Sequence, residues 1–216
     1  MQVCLASTSP ARLMLLRQVG IEPVTLAPGV DEEAVISATE AREARVLPPA
    51  EHVLLLARLK AADVAGRVRE AHPGFEGVVI GGDSMFELDG VVYGKPYTPE
   101  AATERWRGMR GRTGVLHSGH SVLLVRGDDE PVEAFAVAEA TVTFAADVED
   151  EEIAAYVATG EPLHVAGAFT VDSLGGAFIE RVEGDPSTVV GMSLSTVRRL
   201  VRQLGVSWTS LWSTEA

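Results

Sequence analysis

Apolar positions along the chain switch repeatedly between the continuous runs of buried strands and the three-to-four-residue spacing of amphipathic helices. Gln2–Ala6 reads as a short apolar strand, and Pro10–Val19 as a helix with Leu13, Leu16 and Val19 at helical spacing. Gly20 ends that helix and IEPVTLA starts a second strand. The polar, acidic segment Gly29–Pro48 (GVDEEAVISATEAREARVLP) predicts loop with some helix. Pro49–Glu70 carries the strongest helical pattern, with Val53, Leu56, Leu59 and Lys60 following Glu51.

Further on, GVVIGGDSMFELDGVVYGKP predicts a buried strand, a turn at Gly81–Gly82 and a hairpin over Asp89–Gly90. Pro99–Met109 follows as a helix, then SVLLV and EAFAVAEATVTFA as paired strands. Glu149–Thr159 is helical, AFIERVEG is another strand, and Leu194–Leu204 closes the pattern as a helix with Arg198, Arg199 and Arg202 outside. No repeat, low-complexity tract or linker interrupts the alternation. It predicts one α/β domain over residues 1–216, with scope for two lobes.

Composition narrows the function classes. Of 216 residues, 46% are hydrophobic, enough for one substantial core or two lobes sharing a cleft. A formal net charge of −13 argues against nucleic acid as the main partner. Any bound polyanion is then small, and held locally by a few Lys and Arg residues or a metal ion. The single cysteine, Cys4, lies in an apolar stretch, reads as a small buried hydrophobe and points to a reducing cytoplasm. No stretch approaches the ~20 apolar residues that span a bilayer, and the N-terminus lacks the pattern of a signal peptide.

Four local features carry candidate chemistry. In LASTSPARLMLL a strand breaks on Ser7, Thr8 and Ser9 and restarts as a helix at Pro10, leaving free backbone N–H groups at the turn. Ser9 is a natural N-cap and Pro10 suits the first helical position, so capping explains that pair fully. Capping does not explain Ser7, or Arg12 in a first turn where a cation opposes the helix dipole. Asp83 ends the apolar run VVIGG, at the strand end where open α/β sheets place ligands, although an Asp opening a turn reads the same way. Gly81 and Gly82 remove bulk beside it. Lys95 in YGKP returns toward Asp83 across the hairpin or is simply solvated, and Lys60 on its apolar helix face would by default snorkel to water.

Together with Glu32 from the acidic segment, these residues form a set of two carboxylates, two lysines and an arginine. Such a set suits phosphoryl chemistry, in which carboxylates hold Mg²⁺ or prime water and cations neutralise phosphate oxygens. The motifs GxxxxGK[ST], HExxH and GxSxG are all absent.

With these residues assembled, the chain resembles the Maf family, the septum-formation-associated nucleoside triphosphate pyrophosphatases. LASTSPARLMLL resembles the family's LASxSPRRxxLL opening, GVDEE its acidic loop and LARLKAADVA its LAxxKA helix. VVIGGDSMFELDGVVYGKP resembles the GADT…KP block, GEPLHVAGAF the GEPxxxAGAY turn, and GGAFIERVEGDPSTVVGMSL the closing strand and loop. The resemblance runs almost end to end.

What it implies is specific. The expected fold is an elongated mixed sheet flanked by helices, with two lobes around a central cleft, similar to inosine triphosphate pyrophosphatases. The expected reaction cleaves a nucleoside triphosphate between the α and β phosphates with Mg²⁺ or Mn²⁺, removing non-standard nucleotides or serving cell-division arrest. Asp83 matches the proton acceptor, and Glu32 with Asp83 would hold the metal. Lys60 and Lys95 match functional lysines, and Ser7 and Arg12 the phosphate-contacting opening. A homodimer in the cytoplasm is the expected state, and a nucleotide-binding regulator with little turnover is the alternative function. Three positions depart from the dTTP/UTP-type pattern and bear on base preference: Ala11 precedes Arg12 where the family has paired arginines, Ser84 replaces Thr, and Asp172 replaces Gln. An ionised Asp172 only accepts hydrogen bonds, which suits the N–H edge of a base such as guanine better than the carbonyls of uracil or thymine.

Overall fold

The computed structural model describes residues 1–127 and 129–213. In chain order it contains β1 (Gln2–Ala6), α1 (Pro10–Gln18), β2 (Val24–Thr25), α2 (Glu32–Glu43), α3 (Pro49–Ala71), β3 (Gly77–Leu88) and β4 (Val91–Tyr93). These are followed by α4 (Pro99–Met109), β5 (Thr113–Val125), β6 (Val132–Phe144), α5 (Asp150–Ala158), β7 (Ile179–Gly184), α6 (Pro186–Val190) and α7 (Leu194–Gln203). The strands form one seven-stranded sheet in the order β2-β1-β3-β5-β6-β7, with β4 paired to β3 off that path. The sheet is mixed: β1 runs parallel to β2 and β3, while β3/β4 and β6/β7 are antiparallel. No described helix is long and apolar enough to cross a membrane.

The chain divides into two compact units, and β3, β5 and β6 contribute residues to both. The first unit comprises Met1–Asp83, Ser118–Ala138 and the segment from Gly191 onward. Its core sets Cys4 and Ala6 of β1 and Val79 of β3 against Ala61, Val64 and Val68 of α3. Burial pushes the Cys4 thiol up to about 11. The second unit comprises Ser84–His117 and Glu139–Val190. Its core is aromatic: Trp106 stands edge-on to Phe144 at 5.6 Å and to Tyr156 at 5.4 Å. The Trp106 indole N–H donates to the Ala168 carbonyl at 2.7 Å, so the ring is buried without an unmet donor.

Most expected elements are present, and the differences have physical causes. β3 runs unbroken through Gly81 and Gly82, so there is no turn there. The glycines serve close approach instead: a Cβ on Gly81 would stand 2.3 Å from the Ala57 carbonyl of α3, and one on Gly82 would stand 3.2 Å from Arg12 Nε. A hairpin does form at Asp89–Gly90, where both residues take positive φ (51° and 78°), as a two-residue turn between right-twisted strands requires. The acidic segment, read mainly as loop, holds the twelve-residue α2. Its start is fixed by the Asp31 side chain, which accepts the Ala34 N–H at 3.1 Å, and by Glu32 and Glu33 in the first turn. β5 begins at Thr113, well before SVLLV, and its first half buries His117 and Ser118 alongside Leu116, which hid the strand from an apolar-run reading. IEPVTLA contributes only the two residues of β2.

Candidate active site

The turn after β1 is built from local side-chain hydrogen bonds. Ser7 Oγ accepts the Ser9 N–H at 3.1 Å and an Arg12 Nη1 hydrogen at 3.2 Å, while Ser9 Oγ caps α1 by accepting the Arg12 N–H at 3.4 Å. Arg12 therefore folds back over the turn, and its Nε donates to the Gly191 carbonyl at 2.9 Å. Burial lowers the guanidinium pKa, and the charges of Asp83 and Glu32 pull it back up. The cation that opposes the helix dipole is thus answered in part by two carboxylates of the same unit.

Those carboxylates meet at Lys60. Lys60 is buried on α3, and its Nζ lies 2.7 Å from Asp83 Oδ1 and 2.8 Å from Glu32 Oε1. It does not snorkel. An ammonium taken out of water needs such partners, and here two elements supply them: β3 carries Asp83 as its seventh residue, and α2 opens with Glu32. Side-chain exposure grades across the pair, from 14% at Asp83 to 50% at Glu32, so Glu32 faces solvent while Asp83 sits beneath it. The cluster sets two cations, Arg12 and Lys60, against two carboxylates.

Sequence reasoning missed the residues under this cluster. The segment Ser118–Ser121 of β5 buries Ser118, His120 and Ser121 ahead of the apolar run Val122–Val125. His120 Nε2 accepts the Ser193 N–H at 2.9 Å and lies 3.3 Å from Ser118 Oγ, which also lies 3.4 Å from the carbonyls of Asp83 and Gly191. The polar run HSGHS ahead of VLLV was the available signal.

The structure thus brings Ser7, Arg12, Glu32, Lys60 and Asp83 together in the first unit. Ser84, Lys95 and Asp172 belong to the second. Ser84 follows Asp83 along β3 and is half-buried, Lys95 is exposed just beyond β4, and Asp172 is exposed on the segment after Phe169. That segment is tied down by one carboxylate. Glu161 accepts hydrogen bonds from Thr170 Oγ1 (2.5 Å), Ser173 Oγ (2.7 Å), Tyr156 Oη (2.9 Å), Gly175 N (3.1 Å) and Leu174 N (3.3 Å). Burial alone would raise its pKa, but the bonds from Thr170, Ser173, Gly175 and Tyr156 outweigh burial and bring it down to about 2.

The sign of the resulting pH dependence follows. Because the folded pKa is depressed from the ordinary 4.5, Glu161 contributes stability that is present above that value and lost as pH falls toward 2. Discounted for solvent screening at a half-buried site, the contribution is about 1–2 kcal/mol. Urea melts of Glu161→Gln against the parent are expected to differ by that amount at pH 7, with the gap narrowing below pH ~4.5. Equal stability at pH 7 would show that the charge of Glu161 is not what holds the segment.

Among the described residues, no three His, Cys, Asp or Glu side chains converge as a metal-holding group. Glu32 and Asp83 do present oxygen donors to one shared cation, the Lys60 ammonium, and that pair fits a hard divalent ion. Mg²⁺ characteristically takes one or two carboxylates and completes its shell with water and substrate phosphates.

A mixed α/β sheet whose central strand carries a carboxylate, with an ammonium and a guanidinium beside it, belongs with proteins equipped to handle phosphorylated ligands. The Maf-like protein family model matches residues 2–204, and the chain belongs to that family. Over 213 residues it is 59% identical to a nucleoside triphosphate pyrophosphatase of Leifsonia xyli subsp. xyli, covering 99% of this chain and 97% of that protein. Proteins of the same name from Salinispora tropica and Corynebacterium efficiens are 52% and 49% identical over 213 residues, each covering 99% of this chain and 88% and 100% of theirs. The solved Staphylococcus aureus Ham1 protein is similar at 12% identity and a TM-score of 0.33, over 68% of this chain and 73% of that one.

Proposed function

We propose that this protein hydrolyses nucleoside triphosphates to the monophosphate and pyrophosphate, using the Arg12–Lys60–Asp83–Glu32 cluster. The observation that carries the reading is the buried Lys60 ammonium bound to both carboxylates, with Arg12 held beside them. A buried ammonium with a half-buried guanidinium beside it, in a protein of net charge −13, is a local provision for phosphate oxygens.

The chemistry is an in-line displacement. Water attacks the α-phosphorus, the bond from that phosphorus to the α–β bridging oxygen breaks, and pyrophosphate leaves. The proton lost by the water passes to Asp83. Lys60 engages Oδ1, and Oδ2 is the atom assigned to receive that proton. Arg12, oriented by Ser7 and Gly191, offers guanidinium hydrogens to phosphate oxygens. Glu32 and Asp83 would hold a Mg²⁺ or Mn²⁺ ion, which when bound neutralises charge developing on the phosphate oxygens. Lys95, Ser84 and Asp172 belong to the second unit, and this reading rests on the first-unit cluster without them.

The test is a pyrophosphate-release assay across purine, pyrimidine and modified triphosphates with Mg²⁺. Turnover is expected to yield monophosphate and pyrophosphate in equal amounts. EDTA is expected to reduce the rate by ~10²-fold or more, with recovery on adding metal back. Tight nucleotide binding without turnover would replace this reading with a sensor, and full activity in chelator would remove the metal from it.

A further inference from the structure

Among the described residues of the first unit, His120 is the one fully buried histidine, and it takes no part in the reaction just described. It stands on β5 among other buried polar groups, and burying polar groups is costly unless they bond one another. The direction of its principal bond is unambiguous. A backbone amide only donates, so His120 Nε2, 2.9 Å from the Ser193 nitrogen, is an acceptor, and the neutral ring carries its proton on Nδ1. Ser193 is itself fully buried and caps α7, its hydroxyl accepting the Thr196 N–H at 3.2 Å. The imidazole therefore fixes the entry to α7, two residues after Gly191.

Gly191 is where this matters. Its φ of +129° lies in a region that side chains rarely adopt. Its carbonyl accepts the Arg12 Nε hydrogen at 2.9 Å and lies 3.4 Å from Ser118 Oγ. Ser118 Oγ is in turn 3.3 Å from the same His120 Nε2. The Ser193 backbone thus connects this imidazole nitrogen to the segment whose carbonyl orients Arg12, while the single Ser118 hydrogen can serve either His120 Nε2 or the Gly191 carbonyl but not both.

We propose that His120 is a positioning residue for nucleotide hydrolysis: as a neutral acceptor it locks the Gly191–Ser193 segment so that the Gly191 carbonyl holds Arg12 for the substrate phosphates. The proposal rests on the pyrophosphatase reading for its consequence, and on geometry alone for its mechanism. A purely structural histidine would affect stability regardless of Arg12. A positioning histidine acts only while Arg12 is present.

A double-mutant cycle separates the two. His120→Leu removes the acceptor, whereas His120→Gln sets an amide oxygen near the place of Nε2. In the parent background His120→Leu is expected to lower kcat/KM by ~10–100-fold, the scale for a catalytic group displaced by about an ångström, while His120→Gln recovers most of that loss. In an Arg12→Ala background His120→Leu is expected to change the rate by less than about twofold, since there is nothing left to position. An additive loss in that background, or a Gln variant as poor as Leu, overturns the proposal. If His120→Leu does not melt cooperatively, His120→Asn replaces it, its shorter side chain withdrawing the acceptor from Ser193. The same cycle is read by calorimetry as affinity for a non-hydrolysable triphosphate analogue. Failure of the parent to turn over then counts against the pyrophosphatase reading, while the cycle in affinity still decides the role of His120.

Discussion

Asp83→Asn is expected to lower kcat by ~10²–10⁴-fold with the fold and nucleotide binding retained, the range for loss of a positioned general base. Asparagine keeps the size of the side chain and can still accept a hydrogen bond from Lys60, which retains Glu32 at 2.8 Å in any case. The substitution therefore removes basicity and one negative charge while leaving the surroundings in place. A carboxylate can accept a proton or hold a metal, and the two roles part under titration with Mg²⁺. If the loss persists at saturating metal, Asp83 is the base; if excess metal restores the rate, Asp83 is chiefly a ligand. Turnover equal to the parent would remove Asp83 from the chemistry and leave Glu32 as the carboxylate around which to rebuild the site.

Lys60→Met is expected to have the next largest effect, a fall of ~10²-fold in kcat/KM, because it deletes a buried charge that stabilises developing negative charge while keeping the apolar stem. The variant also leaves Asp83 and Glu32, each within 2.8 Å of the lost Nζ, facing one another without their cation. Removing one partner from a buried ion pair typically costs 3–5 kcal/mol, and with Glu32 half exposed a loss of about 2 kcal/mol is expected here. Divalent metal competes for the same two carboxylates. The variant should accordingly half-saturate at lower Mg²⁺ than the parent even as its rate falls, and Mg²⁺ should raise its melting temperature more. Unchanged metal dependence would mean that Lys60 and the ion do not share these oxygens.

Much of this was visible in the sequence, and the failures are instructive. The limits of α1 followed from Ser9, Pro10 and Gly20, and α3 and α4 begin at Pro49 and Pro99 as expected, because helix starts and stops are local chemistry. Asp83, Lys60, Arg12 and Glu32 could be named from the sequence, although an Asp opening a turn and a snorkelling lysine read the same way locally. Gly81–Gly82 misled because a glycine pair signals a turn locally, while here the demand comes from Ala57 and Arg12, far away in sequence. The burial of Lys60 was invisible for the same reason: helical periodicity places a lysine on an apolar face, but only the partners decide whether it stays there. His120 escaped because a polar residue in a strand reads as solvent-facing until the opposite sheet surface is known to be covered too.

Cys4 gives the protein a practical property. It is the only cysteine in the chain, it lies fully buried in β1, and its thiol is pushed up to about 11, so almost none of it is the nucleophilic thiolate at neutral pH. The native chain is therefore expected to resist maleimide labelling, which a thiol titration of the folded protein checks. A single cysteine introduced at an exposed position away from the site, such as Glu104 or Gln203, can be coupled to a fluorophore selectively, with Cys4 left in place and the packing of β1 undisturbed. Pairs of such labels would give distance measurements on the working enzyme without a stripped-down background.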